Sequence, residues 1–164
     1  MSFGVGGALT TLVGPNTVAT RSYNVTGALE AVRLGLLDGQ VSAPLASSVL
    51  AYDSRGRIGQ HAVAWSGSTS ATDTFAYDRA DRLRTWTRTG AGATSATYGY
   101  DPSGNLTTAT VGAATTAFSY DIGDQLTRAV TGSAVTTYTN DSLGRRTAAI
   151  AATGTTTYAW DPLS

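Results

Sequence analysis

T-T-A-F-S-Y-D-I-G-D-Q-L-T-R, residues Thr115 to Arg128, is the unit from which this chain is built. Two rings spaced i, i+2 (Phe118, Tyr120) run into a turn opened by Asp121, and the chain leaves the turn through Gln125 and Leu126. The same phrase recurs at Tyr98-Gly-Tyr100-Asp101-Pro-Ser-Gly104-Asn-Leu106 and at Phe75-Ala-Tyr77-Asp78-Arg-Ala-Asp81-Arg-Leu83. Earlier copies are Tyr52-Asp53-Ser-Arg-Gly56-Arg-Ile58 and Tyr23-Asn24-Val-Thr-Gly27-Ala-Leu29. Later ones are Tyr138-Thr-Asn-Asp141-Ser-Leu-Gly144-Arg-Arg146 and Tyr158-Ala-Trp160-Asp161. Anchored on Asp or Asn, the copies sit at 24, 53, 78, 101, 121, 141 and 161, with spacings that settle from 29, 25 and 23 to 20, 20 and 20. A fixed period in that range marks a repeat architecture.

Turn chemistry identifies the unit as a hairpin. Type I turns favour Asp or Asn at the first position, Pro at the second and Gly at the fourth. Asp101-Pro102-Ser103-Gly104 meets all three preferences, and Asn24…Gly27, Asp53…Gly56 and Asp141…Gly144 meet two. The anchor carboxylate can accept a backbone N–H two residues on. The fourth residue supplies the left-handed conformation of a three-residue loop with a bulge. Asp81 and Asp124 replace Gly in that seat, and Asp is among the few side chains that tolerate it.

This turn sets a register. Each anchor faces the residue four places on: Asp53 with Arg57, Asp78 with Arg82, Asp101 with Asn105, Asp121 with Gln125, and Asp141 with Arg145. One step further from the tip, ring faces aliphatic: Tyr52 with Ile58, Tyr77 with Leu83, Tyr100 with Leu106, Tyr120 with Leu126. The copy at Asp141 places Asn140 against Arg146 in those seats. Side chains alternate along a strand, so one face becomes an aromatic–aliphatic ladder and the other stays polar and flat. A unit of 20 residues holds two strands of roughly seven residues, about 23 Å each. Gly90, Gly112, Gly132 and Gly154 mark the return turns. The expected fold is all-β: tandem hairpins pairing edge to edge into one continuous twisted antiparallel sheet.

Outside the regular copies the pattern loosens. Residues 1–20 read as a strand closed by a turn at Gly14-Pro15-Asn16. Ala28 to Val41 has a helical alternative, but Gly35 and Asp38-Gly39 interrupt it, which favours a hairpin with its tip at Asp38-Gly39. Ser42 to Ser48, with Pro44, reads as a loop or an edge, and Trp65 to Thr72 as a solvated loop. The chain thus divides into a degenerate N-terminal part, 1–47, and a tandem array, 48–164.

Bulk properties exclude several classes. The 164 residues carry 11 basic and 11 acidic side chains, every basic one an Arg, so no field points to nucleic acid. There is no Cys, hence no disulfide framework and no thiolate metal site. No segment approaches the ~20 apolar residues of a membrane helix, and the N-terminus has no basic region ahead of an apolar run, so no signal peptide is read. No cofactor or metal is expected.

Eight of the eleven carboxylates, including Asp81 and Asp124, fall in turn seats, which accounts for them without catalysis. His61 is the only histidine and reads as a surface strand residue with no paired nucleophile. Gly4, Gly6 and Gly7 lack the helix and acidic partner that nucleotide binding needs. Arg55, Arg57, Arg79, Arg82, Arg84 and Arg88 interleave with Asp53, Asp73, Asp78 and Asp81 and read as a salt-bridged face. The chain is therefore expected not to be an enzyme. A rival reading uses the rings: Tyr52, Phe75, Tyr77, Tyr98, Tyr100, Phe118, Tyr120, Tyr138, Tyr158 and Trp160, if open to solvent, could stack on sugars or cage choline.

The phrase Tyr-Asp-x-x-Gly-[Arg/Asn]-Leu at this period resembles the YD repeat of the RHS family, which includes bacterial polymorphic toxins, shell subunits of insecticidal toxin complexes, and teneurins. The resemblance covers roughly residues 21 to 164. It implies a β-sheet strip that spirals into a hollow shell around a toxic segment or other cargo, in a secreted or cell-surface protein whose further repeats and cargo are the partners. The Asp residues with which cargo-releasing members cut their own chain have no counterpart here, so no catalytic Asp carries over. The sequence stops within a repeat, so it reads as an excerpt or a remnant. Standing alone it is expected to self-associate through exposed sheet edges.

Overall fold

The computed structural model describes residues 1–4, 9–36 and 45–161. The described residues contain no helix, and so none long and apolar enough to cross a membrane. The chain divides into two compact units, Met1–Thr94 and Ser95–Ser164. The first holds β1 (Ser2–Phe3), β2 (Leu9–Val13), β3 (Thr17–Tyr23), β4 (Leu29–Leu36), β5 (Ala46–Tyr52), β6 (Ile58–Trp65), β7 (Ala71–Tyr77) and β8 (Leu83–Gly90). The second holds β9 (Thr94–Tyr100), β10 (Leu106–Val111), β11 (Ala114–Tyr120), β12 (Leu126–Thr131), β13 (Ala134–Asn140), β14 (Arg146–Ala151) and β15 (Gly154–Thr157). In each unit the strand order in the sheet is the order in the chain, and neighbours are antiparallel. The fold is an all-β meander of hairpins.

Each Asp-led corner has one geometry. In the first complete copy the Gly56 N–H donates to the Asp53 carbonyl at 3.0 Å and the Asp53 N–H to the Arg57 carbonyl at 2.8 Å. The same two bonds recur at Asn24, Asp78, Asp101, Asp121 and Asp141. The fourth turn residue is left-handed every time, whether Gly56 (φ 78), Gly144 (φ 80), Asp81 (φ 63) or Asp124 (φ 59). These are type I turns closed by a bulge at the left-handed residue.

The register follows from those corners. Tyr52 opposes Ile58, Tyr77 opposes Leu83, Tyr100 opposes Leu106, Tyr120 opposes Leu126, and Asn140 opposes Arg146. A second irregularity follows at once, for Ala51 pairs with Gln60 and Ala76 with Thr85, leaving Gly59 and Arg84 as extra residues. Opposed residues share a face. One face of the first unit therefore gathers Leu50, Tyr52, Val63, Phe75, Tyr77 and Trp86, and the other carries Ser47, Ala62, Thr74 and Thr87. The ladder rings from Tyr52 to Tyr138 are half-buried, while Tyr158 and Trp160 are exposed. Among the described residues the only buried apolar ones are Ala31, Ala71 and Ala96. This is a single layer without an enclosed core, held by strand pairing and rows of side chains along each face.

Return turns differ in kind. Gly112 and Gly132 open two-residue loops with φ of 57° and 56°, while Ala113 and Ser133 stay at negative φ, the pattern of type II′. Gly90 is instead the last residue of β8, paired with Ala71, and the chain turns after it at Ala91 and Gly92. Its φ is 81°, and a Cβ there would lie 2.1 Å from the Ser70 carbonyl oxygen. Gly154 likewise begins β15 rather than forming the turn.

Two expectations about the connections are corrected. Ala46 to Ser48 belong to β5 rather than to a loop, because they pair with β6 as far as Trp65. The loop expected from Trp65 to Thr72 shrinks to residues 66–70, since Ala71 and Thr72 pair with both Val63–Ala62 and Gly90–Thr89, burying Ala71. Polar, small composition concealed that double pairing. The hairpin tip at Asp38-Gly39 and the loop at Pro44 lie outside the described residues, whereas Leu29–Leu36 is a strand as expected.

Two glycines separate backbone preference from packing. Gly56→Ala meets open space and should cost about 1 kcal/mol for the left-handed conformation alone. Gly90→Ala must in addition displace backbone and should cost clearly more, about 2–3 kcal/mol. Urea denaturation of both variants checks the order; equal midpoints would contradict the close approach at Ser70.

Candidate functional site

The chemistry of this chain is concentrated along the edge formed by its Asp-led corners. The anchor carboxylate binds the backbone in each. Asp53 Oδ1 accepts the N–H groups of Arg55 (2.9 Å) and Arg57 (3.0 Å); Asp78 Oδ1 accepts those of Ala80 and Arg82, and Asp141 Oδ1 those of Leu143 and Arg145. Asn24 and Asp121 hold their corners the same way, and Asp101 Oδ1 accepts the N–H groups of Gly104 and Asn105 at 2.8 Å each. The second oxygen takes the facing side chain: Arg57 Nε at 2.8 Å, Arg82 Nε at 2.8 Å, Arg145 Nε at 2.9 Å, and Asn105 Nδ2 at 3.0 Å.

Consecutive corners are also stitched together. Arg55 Nη1 donates to Asp81 Oδ1 at 2.7 Å, Arg57 Nη1 reaches the same oxygen, and Asn105 Nδ2 donates to Asp124 Oδ1 at 2.6 Å. The two corners with Asp in the left-handed seat thus use that carboxylate to bind the corner before. Rings supply a second stitch. Tyr52 Oη donates to the Leu29 carbonyl (2.7 Å), Tyr77 Oη to that of Ile58 (2.9 Å), Tyr120 Oη to that of Leu106 (2.9 Å), and Trp160 Nε1 to that of Arg146 (2.8 Å). In every case the acceptor is the ladder residue of the preceding hairpin. The Arg57 guanidinium lies 4.3 Å above the Tyr77 ring, and that of Arg146 4.2 Å from the Tyr138 ring.

Tyr52, Tyr77 and Tyr120 are therefore half-buried and tied at their polar tips, which is unlike the open platforms that sugar stacking needs. Phe75, Tyr98, Phe118 and Tyr138 occupy the same face half-buried. Turn seats Asn24, Gly27, Asp53, Gly56, Asp78, Asp81, Asp101, Gly104, Asp121, Asp124, Asp141 and Gly144 all lie at corners; Asp161 follows the final described strand.

A polar row that the sequence did not reveal crosses the ladder face of β5 to β8. Ser48 Oγ lies 2.8 Å from His61 Nε2, so the histidine does have a hydroxyl partner. Its cross-strand neighbour Asp73 is 4 % exposed and accepts Trp86 Nε1 (2.8 Å) together with Arg88 Nε and Nη2 (2.8 and 2.7 Å). Asp73 spends both oxygens on Trp86 and Arg88 rather than on the imidazole. No group of three or more metal-ligating side chains is present among the described residues.

These contacts set the charges. The Arg57 guanidinium hydrogen-bonded to Asp53, and the Arg82 and Arg145 backbone N–H groups at Asp78 and Asp141, hold those carboxyls below the usual range. Arg88 does the same for Asp73 against its burial. Desolvation would raise Asp101, but Asn105 and three backbone N–H groups outweigh it and hold it low. Carboxyls whose folded pKa is depressed contribute stability that is complete above the unfolded value of ~4 and lost as pH falls through the folded values. Urea midpoints should hold steady from about pH 7 to pH 5 and drop below about pH 4. Asp53→Asn keeps the Oδ1 acceptor, as Asn24 does, and should flatten part of that acid limb. Tyr77→Phe should cost about 1 kcal/mol through the orphaned Ile58 carbonyl; an unchanged midpoint would show that the stitch carries nothing.

The sequence matches the Teneurin YD-shell family over residues 14–145. No curated protein matches. Among solved structures, the chain is similar to the Photorhabdus luminescens Tc holotoxin pore carrying a TccC3 point mutation, with a TM-score of 0.68 and 19% identity over 96% of this chain and 9% of that one. It is also similar to the TcdB2–TccC3 structure without its hypervariable C-terminal region, with a TM-score of 0.55 and 15% identity over 97% of this chain and 11% of that one. The chain thus spans about a tenth of either matched chain. With the family match covering most of its length, and the same hydrogen-bonded corner at Asn24, Asp53, Asp78, Asp101, Asp121 and Asp141, this chain belongs to the Teneurin YD-shell family.

Proposed function

We propose that this chain is a non-enzymatic stretch of wall in a larger secreted or cell-surface protein, whose further repeats complete a shell around a toxin or other cargo segment. Residues 48–164 supply the regular part of the wall and residues 1–47 its looser start. The carrying observation is a ring-lined sheet face with no second layer over it among the described residues: the ladder is half-buried, and only three alanines there are apolar and buried. A face of this kind has more apolar surface than a free-standing layer can shield, and closure of a longer strip would withdraw it from bulk water. Family membership and the likeness to toxin-complex structures support the reading. No observation favours the sugar-binding alternative, and Tyr52, Tyr77 and Tyr120 are committed to backbone carbonyls.

The absence of Cys allows a direct test. Thr131 lies on the ladder face and Thr137 on the other, and both are exposed in this segment. In the full-length product, Thr137→Cys should react with a bulky maleimide while Thr131→Cys is protected until the protein is denatured. Equal reactivity of the two sites in the native full-length protein would sink the wall reading.

A further inference from the structure

The repeat accounts for some of its arginines and not for others. Arg57, Arg82 and Arg145 sit four residues after an anchor Asp and pair with it. Arg55, Arg79 and Arg84 occupy seats that carry no such duty. The seat of Arg55 is filled elsewhere by Thr26, Ala80, Ser103, Gly123 and Leu143. That of Arg79 is filled by Val25, Ser54, Pro102, Ile122 and Ser142, and the bulge seat of Arg84 by Glu30, Gly59, Thr107, Thr127 and Thr147. Neither the turn nor the ladder asks for Arg at any of these three positions. Yet all three line one shallow, open cavity of about 620 Å³ together with Arg57, Arg82, Tyr77 and Asp78.

Charge in this cavity is unbalanced. Asp78 is taken by Arg82, and the neighbouring Asp81 by Arg55 and Arg57. Arg57 also pairs with Asp53, so five guanidinium groups against three carboxylates leave a local charge of +2, within a chain whose formal net charge is zero. Arg79 and Arg84 are exposed, and among the described residues neither has a carboxylate in pairing distance. Two lining side chains are fixed by their own contacts: Tyr77 is tied through its hydroxyl to Ile58, and Arg57 is held over its ring while bonded to Asp53. Planar guanidinium forks match tetrahedral oxyanions in shape, and two without counter-ions match a doubly charged group.

We propose that this cavity is a binding site for a tetrahedral oxyanion, the phosphate or sulfate group of a ligand, with Arg79 and Arg84 as its principal contacts and Arg55 as a third donor. It is independent of whether the strip closes into a shell. An occupant also offsets the mutual repulsion of the five arginines.

The test is a titration of the purified chain at constant ionic strength with sodium phosphate, sodium sulfate and sodium acetate, read by the Arg Nε–Hε resonances. Phosphate or sulfate should shift Arg79 and Arg84 along a saturable curve, and acetate should not. The Arg79→Gln/Arg84→Gln variant should weaken the affinity by about tenfold or more. Arg128→Gln, an exposed arginine of the second unit, should leave it unchanged. Both altered residues are solvent-exposed, and an unaltered circular dichroism spectrum would confirm an intact sheet. Saturation by phosphate but not sulfate assigns a phosphorylated ligand, and the reverse a sulfated one. Linear shifts that are the same for acetate, or that persist in the double variant, would overturn the site.

Discussion

A single carboxylate oxygen accepting two backbone N–H groups is the contact on which the rest of this architecture depends. Oδ1 of Asp53 binds the amides two and four residues on, and its equivalents repeat the arrangement at Asp78, Asp121 and Asp141. That clamp fixes where the chain reverses. Because side chains alternate with period two, a corner displaced by one residue would send every ring to the wrong face. The ladder is thus a consequence of the corners. Asn24 performs the same service without charge, so geometry rather than ionisation is the essential ingredient.

Stability in such a layer cannot come from an enclosed core, because almost none exists. It is distributed over nearest-neighbour terms, as in other repeat arrays: strand pairing, ring against aliphatic, and the stitches from one corner to the next. Each stitch is modest. Ion pairs as exposed as Arg55–Asp81 contribute little individually, and a hydroxyl–carbonyl bond adds about 1 kcal/mol. Their regularity compensates for their size.

How much of this was legible depended on how local the physics is. The corners were readable because Asp, Pro and Gly act on their own backbone, and Asp81 and Asp124 obeyed the left-handed rule that Gly obeys elsewhere. The ring–aliphatic register was readable because it follows from turn length. The hydroxyl stitches were not, since the acceptors at Leu29, Ile58 and Leu106 are backbone carbonyls beside a bulge and leave no mark in composition. Likewise Arg57–Asp81 and Asn105–Asp124 join different copies, and only the presence of a donor in one copy followed by Asp in the next hinted at them. Ser48 and His61 lie thirteen residues apart, and only strand pairing brings them together. The 66–70 connection was overdrawn because small polar residues serve strands and loops equally in a sheet with little interior.

The tyrosine stitch has a direction. The hydroxyls of Tyr52, Tyr77 and Tyr120 each point back to the hairpin made before, so these hairpins contribute a bond to their predecessors. A strip assembled this way resembles a zip with a leading and a trailing end, and a chain emerging from the ribosome would close it in order. Asn140 interrupts the series, for it occupies a tyrosine seat and makes no equivalent bond among the described residues, before Trp160 resumes the pattern on Arg146. The joint between β12 and β13 therefore has the same four strand pairs as that between β10 and β11 but lacks its ring stitch, and under load it has one bond fewer to lose.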